Sequence, residues 1–123
     1  MTNEELEIWR KLNECEAVGR VKGLLEFGDL VTFRNKIGRV SEMQVNHDVA
    51  NKREYTMVHV NQIGWILEQY ITWIPPLFNP ICPERSLIGI YKSITGGIVK
   101  SITFTDNRPD LALARVIIEQ EGK

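Results

Sequence analysis

The chain has 123 residues, of which 43% are hydrophobic and 25% are charged, and its formal net charge is −1 at pH 7. This length suits a single globular domain over residues 1–123, with a hydrophobic core large enough to be stable without disulfide bonds or bound metals. The near-neutral charge argues against a dedicated nucleic-acid binder, which usually carries a positive excess. The acidic start MTNEELEIWRKL is unlike a secretory signal, and no apolar run reaches the roughly 20 residues that span a bilayer, so we expect a cytoplasmic protein with no membrane association.

Residues 3–18 are predicted to form an N-terminal helix. Thr2 precedes Glu5 by three residues, which is the spacing of a capping box. Gly19 supplies a stop, because glycine is the residue that most often ends a helix. The residues predicted to form the apolar face recur at helical spacing: Leu6, Trp9, Leu12 and Cys15.

Residues 24–74 are predicted to form a small, bent, barrel-like antiparallel sheet. Its first hairpin is GDLVTFRNKIGRV at 28–40, in which Asn35 tolerates the left-handed backbone of a tight turn. Gly38 predicts a bulge or a sharp bend in the second strand, which is expected to extend to about Val45.

The rest of the sheet is predicted from alternation and from turn-forming residues. A polar loop is expected over 46–54, followed by a strand over 55–60 whose alternate residues face one way. A further strand over 64–74 is expected to break near Gln69. It ends before Pro75, because proline cannot donate to a ladder.

The C-terminal part is predicted to be a linker followed by an α/β tail over 84–120. Residues 75–83 hold four of the five prolines and are interpreted as an extended linker. Residues 84–94 suit a helix in the spacing of their apolar side chains, although their β-branched content favours a strand. A strand is predicted over 98–105 and a last helix over 109–120. The predicted fold class is therefore α+β, with an N-terminal helix, a barrel-like sheet and a C-terminal strand and helix.

The sequences GDLV at 28–31 and IGRV at 37–40 form a GD-x-V…G-x-V pattern. This pattern resembles the start of KOW-type and related Src-homology-3-like barrels, and the resemblance extends at most over 23–74. It implies a Src-homology-3-like sheet and binding of RNA or protein through the loops. The tail, with RPDLALA at 108–114, is similar to short proteins of phages and prophages, which are seldom enzymes.

A basic face is predicted over residues 20–53, with aromatic side chains nearby at Tyr55, Trp65, Tyr70 and Trp73 that would stack on bases. The alternative is that the cations mark the exposed face and edges of the sheet, while the aromatic residues form its core. A nucleic-acid-binding module is thus one hypothesis for function. Its candidate contact residues are Arg20, Lys22, Arg34, Lys36, Arg39, Lys52 and Arg53.

The segment WIPPLF at 73–78 is unusually apolar for a connection. As part of the linker it is expected to be held against the sheet by Leu77, Phe78 and Ile81. If it is exposed, it would bind a partner protein or a second copy of the chain, and if it is folded under, it belongs to the core. The leading hypothesis is a small non-enzymatic interaction protein, of the kind found in phages and mobile elements, that binds another protein. Its candidate contact residues are Trp73, Leu77 and Phe78.

The sequence contains no recognisable catalytic motif, so we expect no catalytic residue, cofactor or metal. His47 and His59 are the two histidines, and a zinc site would need three or four ligands at set spacings. Cys82 would suit a nucleophile if His59 lay beside it, which gives a third hypothesis of a small enzyme using His59 or Cys82. Cys15 and Cys82 lie far apart and are expected to be buried thiols and not a disulfide.

Overall fold

The computed structural model describes residues 2–23, 25–96 and 107–121. The chain divides into two compact units, one formed by Met1–Gly23 with Pro75–Lys123 and the other by Leu24–Ile74. The first unit holds the helices and the second holds an open, five-stranded antiparallel sheet, so the predicted α+β class is confirmed. The strand predicted over 98–105 lies outside the described residues.

Two helices, α1 (Asn3–Glu14) and α2 (Glu16–Lys22), replace the single helix predicted over 3–18. They are separated by Cys15, whose backbone is extended at φ −69° and ψ 135°. The Cys15 N–H donates to the carbonyl of Leu12, which closes the end of α1 before α2 begins. The prediction of one helix was therefore wrong at this position.

The ends of these two helices are set by caps. The Thr2 hydroxyl accepts a hydrogen bond from the Glu5 N–H at 3.2 Å, which confirms the predicted N-terminal cap. Gly19, predicted to be the stop, lies inside α2, and Gly23 follows the end of α2 with φ 51°. Gly23 can end the helix because glycine adopts positive φ without a steric penalty.

The remaining helices of this unit are α3 (Leu87–Thr95) and α4 (Pro109–Glu121). A short 3₁₀ turn over Pro83–Arg85 precedes α3. The helical alternative for 84–94 is thus confirmed, and α4 begins at the predicted Pro109. The α3 helix is capped by Ser86, whose hydroxyl accepts from the Gly89 N–H at 3.1 Å. Both α1 and α3 pack against α4.

The strands of the second unit are β1 (Leu30–Phe33), β2 (Lys36–Asp48), β3 (Arg53–Val60), β4 (Gly64–Leu67) and β5 (Thr72–Trp73). Their spatial order is β4-β3-β2-β1-β5. A 3₁₀ turn over Glu68–Tyr70 separates β4 from β5, as predicted from the break near Gln69.

The polar loop predicted over 46–54 is much shorter, because β2 and β3 continue through most of it. Asn46 and His47 pair with residues of β3, and the last pair is Asp48 with Arg53. The Asp48 carboxylate closes the remaining turn by accepting from the Asn51 N–H at 3.2 Å and from its side-chain amide at 2.7 Å. Polar composition alone therefore mispredicted this hairpin as a loop.

The β1–β2 turn has the predicted form. Arg34 and Asn35 have φ of 47° and 69°, the left-handed conformations that a two-residue hairpin turn requires. Gly38, however, pairs regularly with Val31, and the register shift lies further on, between Val40 and Glu42. The bulge is therefore at Ser41 and not at the predicted glycine.

The buried apolar residues of the sheet lie on all five strands, and include Val31, Val40, Val58, Ile66 and Trp73. Directly opposed residues share a face, so Val58 and its partners Met43 and Ile66 belong to one side of β2–β4. Among the described residues, none of the helices combines the length and apolarity that crossing a bilayer requires.

Candidate binding surfaces

The seven basic residues of the predicted nucleic-acid face belong to two different units. Arg20 and Lys22 lie on α2, and the other five lie in the unit formed by Leu24–Ile74. Within that second unit, Lys36 begins β2, whereas Lys52 and Arg53 follow its far end. Because β2 has 13 residues, roughly 40 Å of strand lies between Lys36 at its start and the end that precedes Lys52 and Arg53.

The basic side chains of the second unit lie on different faces of the sheet and have separate contacts. Lys36 and Arg39 are three residues apart in a regularly paired stretch, so they lie on opposite faces of the sheet. The Arg39 guanidinium donates to the Gly28 carbonyl at 2.9 Å, and the Arg34 guanidinium lies 5.2 Å from the centre of the Phe33 ring. These five cations of the second unit do not share one face.

The apolar segment at 73–78 is divided between core and surface. Trp73 is fully buried on β5, so it is a core residue and offers no contact surface. Leu77 is half-buried. Phe78 and Ile81 are 61% and 94% exposed, so the prediction that they hold the linker in place was wrong.

Hydrogen bonds order the segment that carries Phe78 and Ile81, which we name the proline-rich loop (residues 75–82). The Asn79 side-chain oxygen accepts from the N–H groups of Ile81 and Cys82, each at 3.0 Å. The loop is also anchored to the start of α3, since the N–H of Leu87 donates to the Pro76 carbonyl at 2.8 Å. The exposed side chains are therefore presented by a hydrogen-bonded turn.

A second apolar surface lies on β2–β4, on the side opposite the buried Val58. Three strands contribute cross-strand rows, in which directly opposed residues share a face. Tyr55 and Trp65 are 40% and 44% exposed. We name one part of this surface the outer face, which consists of Glu42, Gln44, Asn46, Tyr55, Met57, His59, Trp65 and Leu67. The same side continues to the Asp48–Arg53 pair at the end of β2.

The outer face was not predicted as a site, although the sequence of β3 carries a signal for it. Thr56, Val58 and Val60 alternate in β3, and their intervening residues must point the other way. Two of those intervening residues, Tyr55 and Met57, are too apolar for an ordinary solvent-facing strand, and that excess is what marks the surface.

His59 is held in one orientation at the centre of an outer-face row. The Ser41 hydroxyl oxygen lies 2.6 Å from His59 Nδ1 and 3.2 Å from the His59 carbonyl oxygen. Both hydrogen bonds form together when Nδ1–H donates to the hydroxyl and the hydroxyl donates to the carbonyl. In this arrangement Nε2 carries a free lone pair. The imidazole also makes an edge contact with Trp65, with ring centres 5.3 Å apart.

The residues considered for catalysis have other partners. The Cys82 thiol donates to a Glu84 carboxylate oxygen at 3.0 Å, and this hydrogen bond lowers the pKa of Glu84. His47 forms an exposed pair with Glu54 at 3.4 Å. Across residues 2–23, 25–96 and 107–121, no group of three metal-ligating side chains is suitably placed to hold an ion. Cys15 and Cys82 are partly buried and are not joined in a disulfide.

Comparison with protein-family models, with curated proteins and with solved structures finds no match for this chain. The resemblance of residues 28–40 to Src-homology-3-like barrels therefore stays a prediction.

Proposed function

We propose that the chain is a protein-binding module that inserts the proline-rich loop into an apolar pocket of a partner protein. The observation that carries this proposal is the exposure of Phe78 and Ile81 on a hydrogen-bonded turn. Burying a Phe or Ile side chain contributes about 1.5–3 kcal/mol. A loop that is already ordered loses less conformational entropy on binding, so more of this energy appears as affinity.

The chemistry of the loop favours protein over nucleic acid as its partner. The sequence PPLFNPICPE at 75–84 carries one charged residue, the exposed and acidic Glu84. Phosphate groups are bound by cations, and none lies in this stretch. An apolar pocket in a protein matches Phe78 and Ile81, and a second copy of the chain is one partner of that kind.

Photo-crosslinking tests the proposal directly. We would place a photoreactive phenylalanine analogue at position 81 and, as a control, at Val49, which is 87% exposed on the other unit. We expect a protein adduct from position 81 and not from position 49, and a weaker adduct when Phe78 is changed to Ser. An adduct of twice the 14.2 kDa chain mass would identify self-association.

Two results would contradict the proposal. Equal adducts from both positions would show that any exposed site captures neighbours, and crosslinking to lipid or nucleic acid would exclude a protein pocket. Because Phe78 and Ile81 are exposed, the Phe78→Ser and Ile81→Ser variants are expected to keep the parent's urea midpoint. A lower midpoint would assign these side chains to the core.

A further inference from the structure

We infer that the outer face has a binding site for the cationic side chain of a lysine or arginine from a partner protein, centred on the row Glu42–His59–Trp65. This site lies in the sheet unit, and its residues are separate from those of the proline-rich loop. The proposed site can therefore be tested independently of the role proposed for the proline-rich loop.

The three residues of the row occupy adjacent strands. Glu42 pairs with His59, and His59 pairs with Trp65, so all three share a face with Cα atoms about 4.5–5.5 Å apart in each pair. Glu42 is exposed, and it makes no ion pair with any other residue that the structure describes. A carboxylate and the face of a half-exposed indole attract the same ligand, a cation.

His59 adds a second acceptor to the row. In the arrangement where Nδ1–H donates to Ser41, the lone pair of the imidazole is on Nε2. His59 itself lies on β3, between the strands that carry Glu42 and Trp65. Lysine and arginine offer several N–H donors on one charged head, so they can satisfy both acceptors at once. A bare metal ion is a poorer match, since the row supplies one carboxylate and one imidazole and metal sites need more ligands.

The neighbouring row explains why the cation should have a long apolar stem. Gln44, Met57 and Leu67 are directly opposed, and Met57 and Leu67 are half-buried. The methylene stem of a lysine or arginine covers apolar surface of this kind while its charged head remains in water. The two rows together thus match both parts of such a side chain.

Charge on the outer face disfavours an anionic ligand such as nucleic acid. Glu42 would repel phosphate at the centre of the site. The cation nearest along β2 is Arg39, whose guanidinium is directed to the Gly28 carbonyl at 2.9 Å. Arg53 lies at the far end of the sheet, directly opposite the acidic Asp48 in the strand register. The local charge at the row is therefore set by Glu42.

Nitrogen–proton correlation NMR with small probes tests this site. N-acetyl-arginine amide is titrated into the full chain, with N-acetyl-citrulline amide as the neutral isostere. We expect the arginine probe to shift the Trp65 indole and the amides of Glu42 and His59, and the citrulline probe to shift them far less. Exposed cation–π and ion-pair contacts are worth about 0.5–1 kcal/mol each, so Glu42→Gln should weaken the arginine probe about two- to fivefold.

A matched control is Glu54→Gln, which removes the same charge from a residue paired with His47 on the opposite face of the sheet. This variant is expected to bind the arginine probe like the parent chain. Equal shifts with the two probes, unchanged binding in Glu42→Gln, or an equal loss in Glu54→Gln would each overturn the site. The result does not depend on the loop, because neither probe nor variant involves residues 75–82.

Discussion

Gly38 of β2 lies against Val60 of β3 so closely that no side chain fits between them. A Cβ atom on Gly38 would stand 2.6 Å from a Val60 methyl carbon and 2.7 Å from the Asn61 carbonyl oxygen. The carbonyl belongs to the backbone and cannot move aside as a flexible side chain would. Gly38 is thus required for close approach of two strands, whereas the bulge that its presence suggested lies at Ser41.

Replacing Gly38 with Ala is therefore expected to destabilise the protein. The added methyl group forces the two strands apart, and overpacking of this kind costs about 1–3 kcal/mol. The free energy of unfolding from urea denaturation at pH 7 measures the effect.

The control for this substitution is Gly19→Ala. Gly19 is exposed inside α2, and a Cβ there meets nothing within 4 Å. Alanine is favoured over glycine in a helix by about 0.5–1 kcal/mol, so this variant should be more stable than the parent. If both variants changed the free energy of unfolding in the same direction, the close approach at Gly38 would not explain the effect of Gly38→Ala.

The sequence predicted elements that depend on neighbouring residues and missed features that depend on distant ones. The tight turn at Asn35 and the cap at Thr2 follow from local chemistry, and both are present. The break at Cys15 carries no helix-breaking residue in NECEA at 13–17, so nothing in the sequence marked it. The extension of β2 to Asp48 depends on pairing with β3, which overrides the polar composition.

The candidate sites divide in the same way. The outer face was accessible from alternation in β3, because buried Val58 and Val60 imply that Met57 and His59 point outward. The contact of Ser41 with His59 was not predictable from the sequence, because the two residues are 18 positions apart and the bulge between them is set by the register of β2 against β3. Ile81 was predicted to be buried because it is apolar, and the hydrogen-bonded turn that leaves it exposed could not be predicted from its residue type.

Removing the cap of α3 is expected to cost more than removing the cap of α1. Ser86 is 1% exposed, and its hydroxyl accepts from the Gly89 N–H and donates to the Pro83 carbonyl at 2.6 Å. Ser86→Ala leaves both groups without that partner and should lower the free energy of unfolding by about 1–2 kcal/mol. Thr2→Ala, at an exposed cap that water can replace, should cost less, about 0.5 kcal/mol. Urea denaturation of both variants checks the order, and a larger loss from Thr2→Ala would contradict it.

The three tryptophans are expected to differ sharply in access to solvent. Trp9 and Trp73 are fully buried, whereas Trp65 is 44% exposed. Iodide should therefore quench one class of tryptophan emission, and Trp65→Phe should remove most of the quenchable fraction. Trp65→Phe also keeps an aromatic ring on the outer face, so the fold is maintained. If the variant kept the same quenchable fraction, another tryptophan would be exposed and the outer face would be wrongly placed.

The Cys15 thiol is expected to alkylate slowly at neutral pH. Partial burial, followed by the negative charges of Glu121 and Glu14, raises the pKa of Cys15, so less of the reactive thiolate is present. In a Cys82→Ser background, Glu121→Gln should lower this pKa and increase the rate with iodoacetamide. Glu119→Gln, on the same helix, serves as the control with unchanged charge at Glu121. Equal rates in the two variants would exclude a role for the Glu121 charge.

The turn between β2 and β3 is expected to lose stability in acid. Hydrogen bonds from the side chain and then the backbone of Asn51 lower the pKa of Asp48, so the folded state favours the carboxylate. A lowered folded pKa contributes stability that is present above the unfolded pKa, about 3.9, and is lost as pH falls through the folded pKa. Asp48→Asn should therefore unfold at lower urea than the parent at pH 7, and the difference should shrink at pH 3 and below.

Asn51→Ala provides the check on the cause of this acid dependence. It removes the side-chain donor while leaving Asp48 ionisable, so the acid-linked loss of stability should become smaller than in the parent. The Asn51 N–H still donates to Asp48 in this variant, so part of the acid-linked loss of stability should remain. An equal difference between parent and Asp48→Asn at both pH values would show that the carboxylate charge does not stabilise the turn.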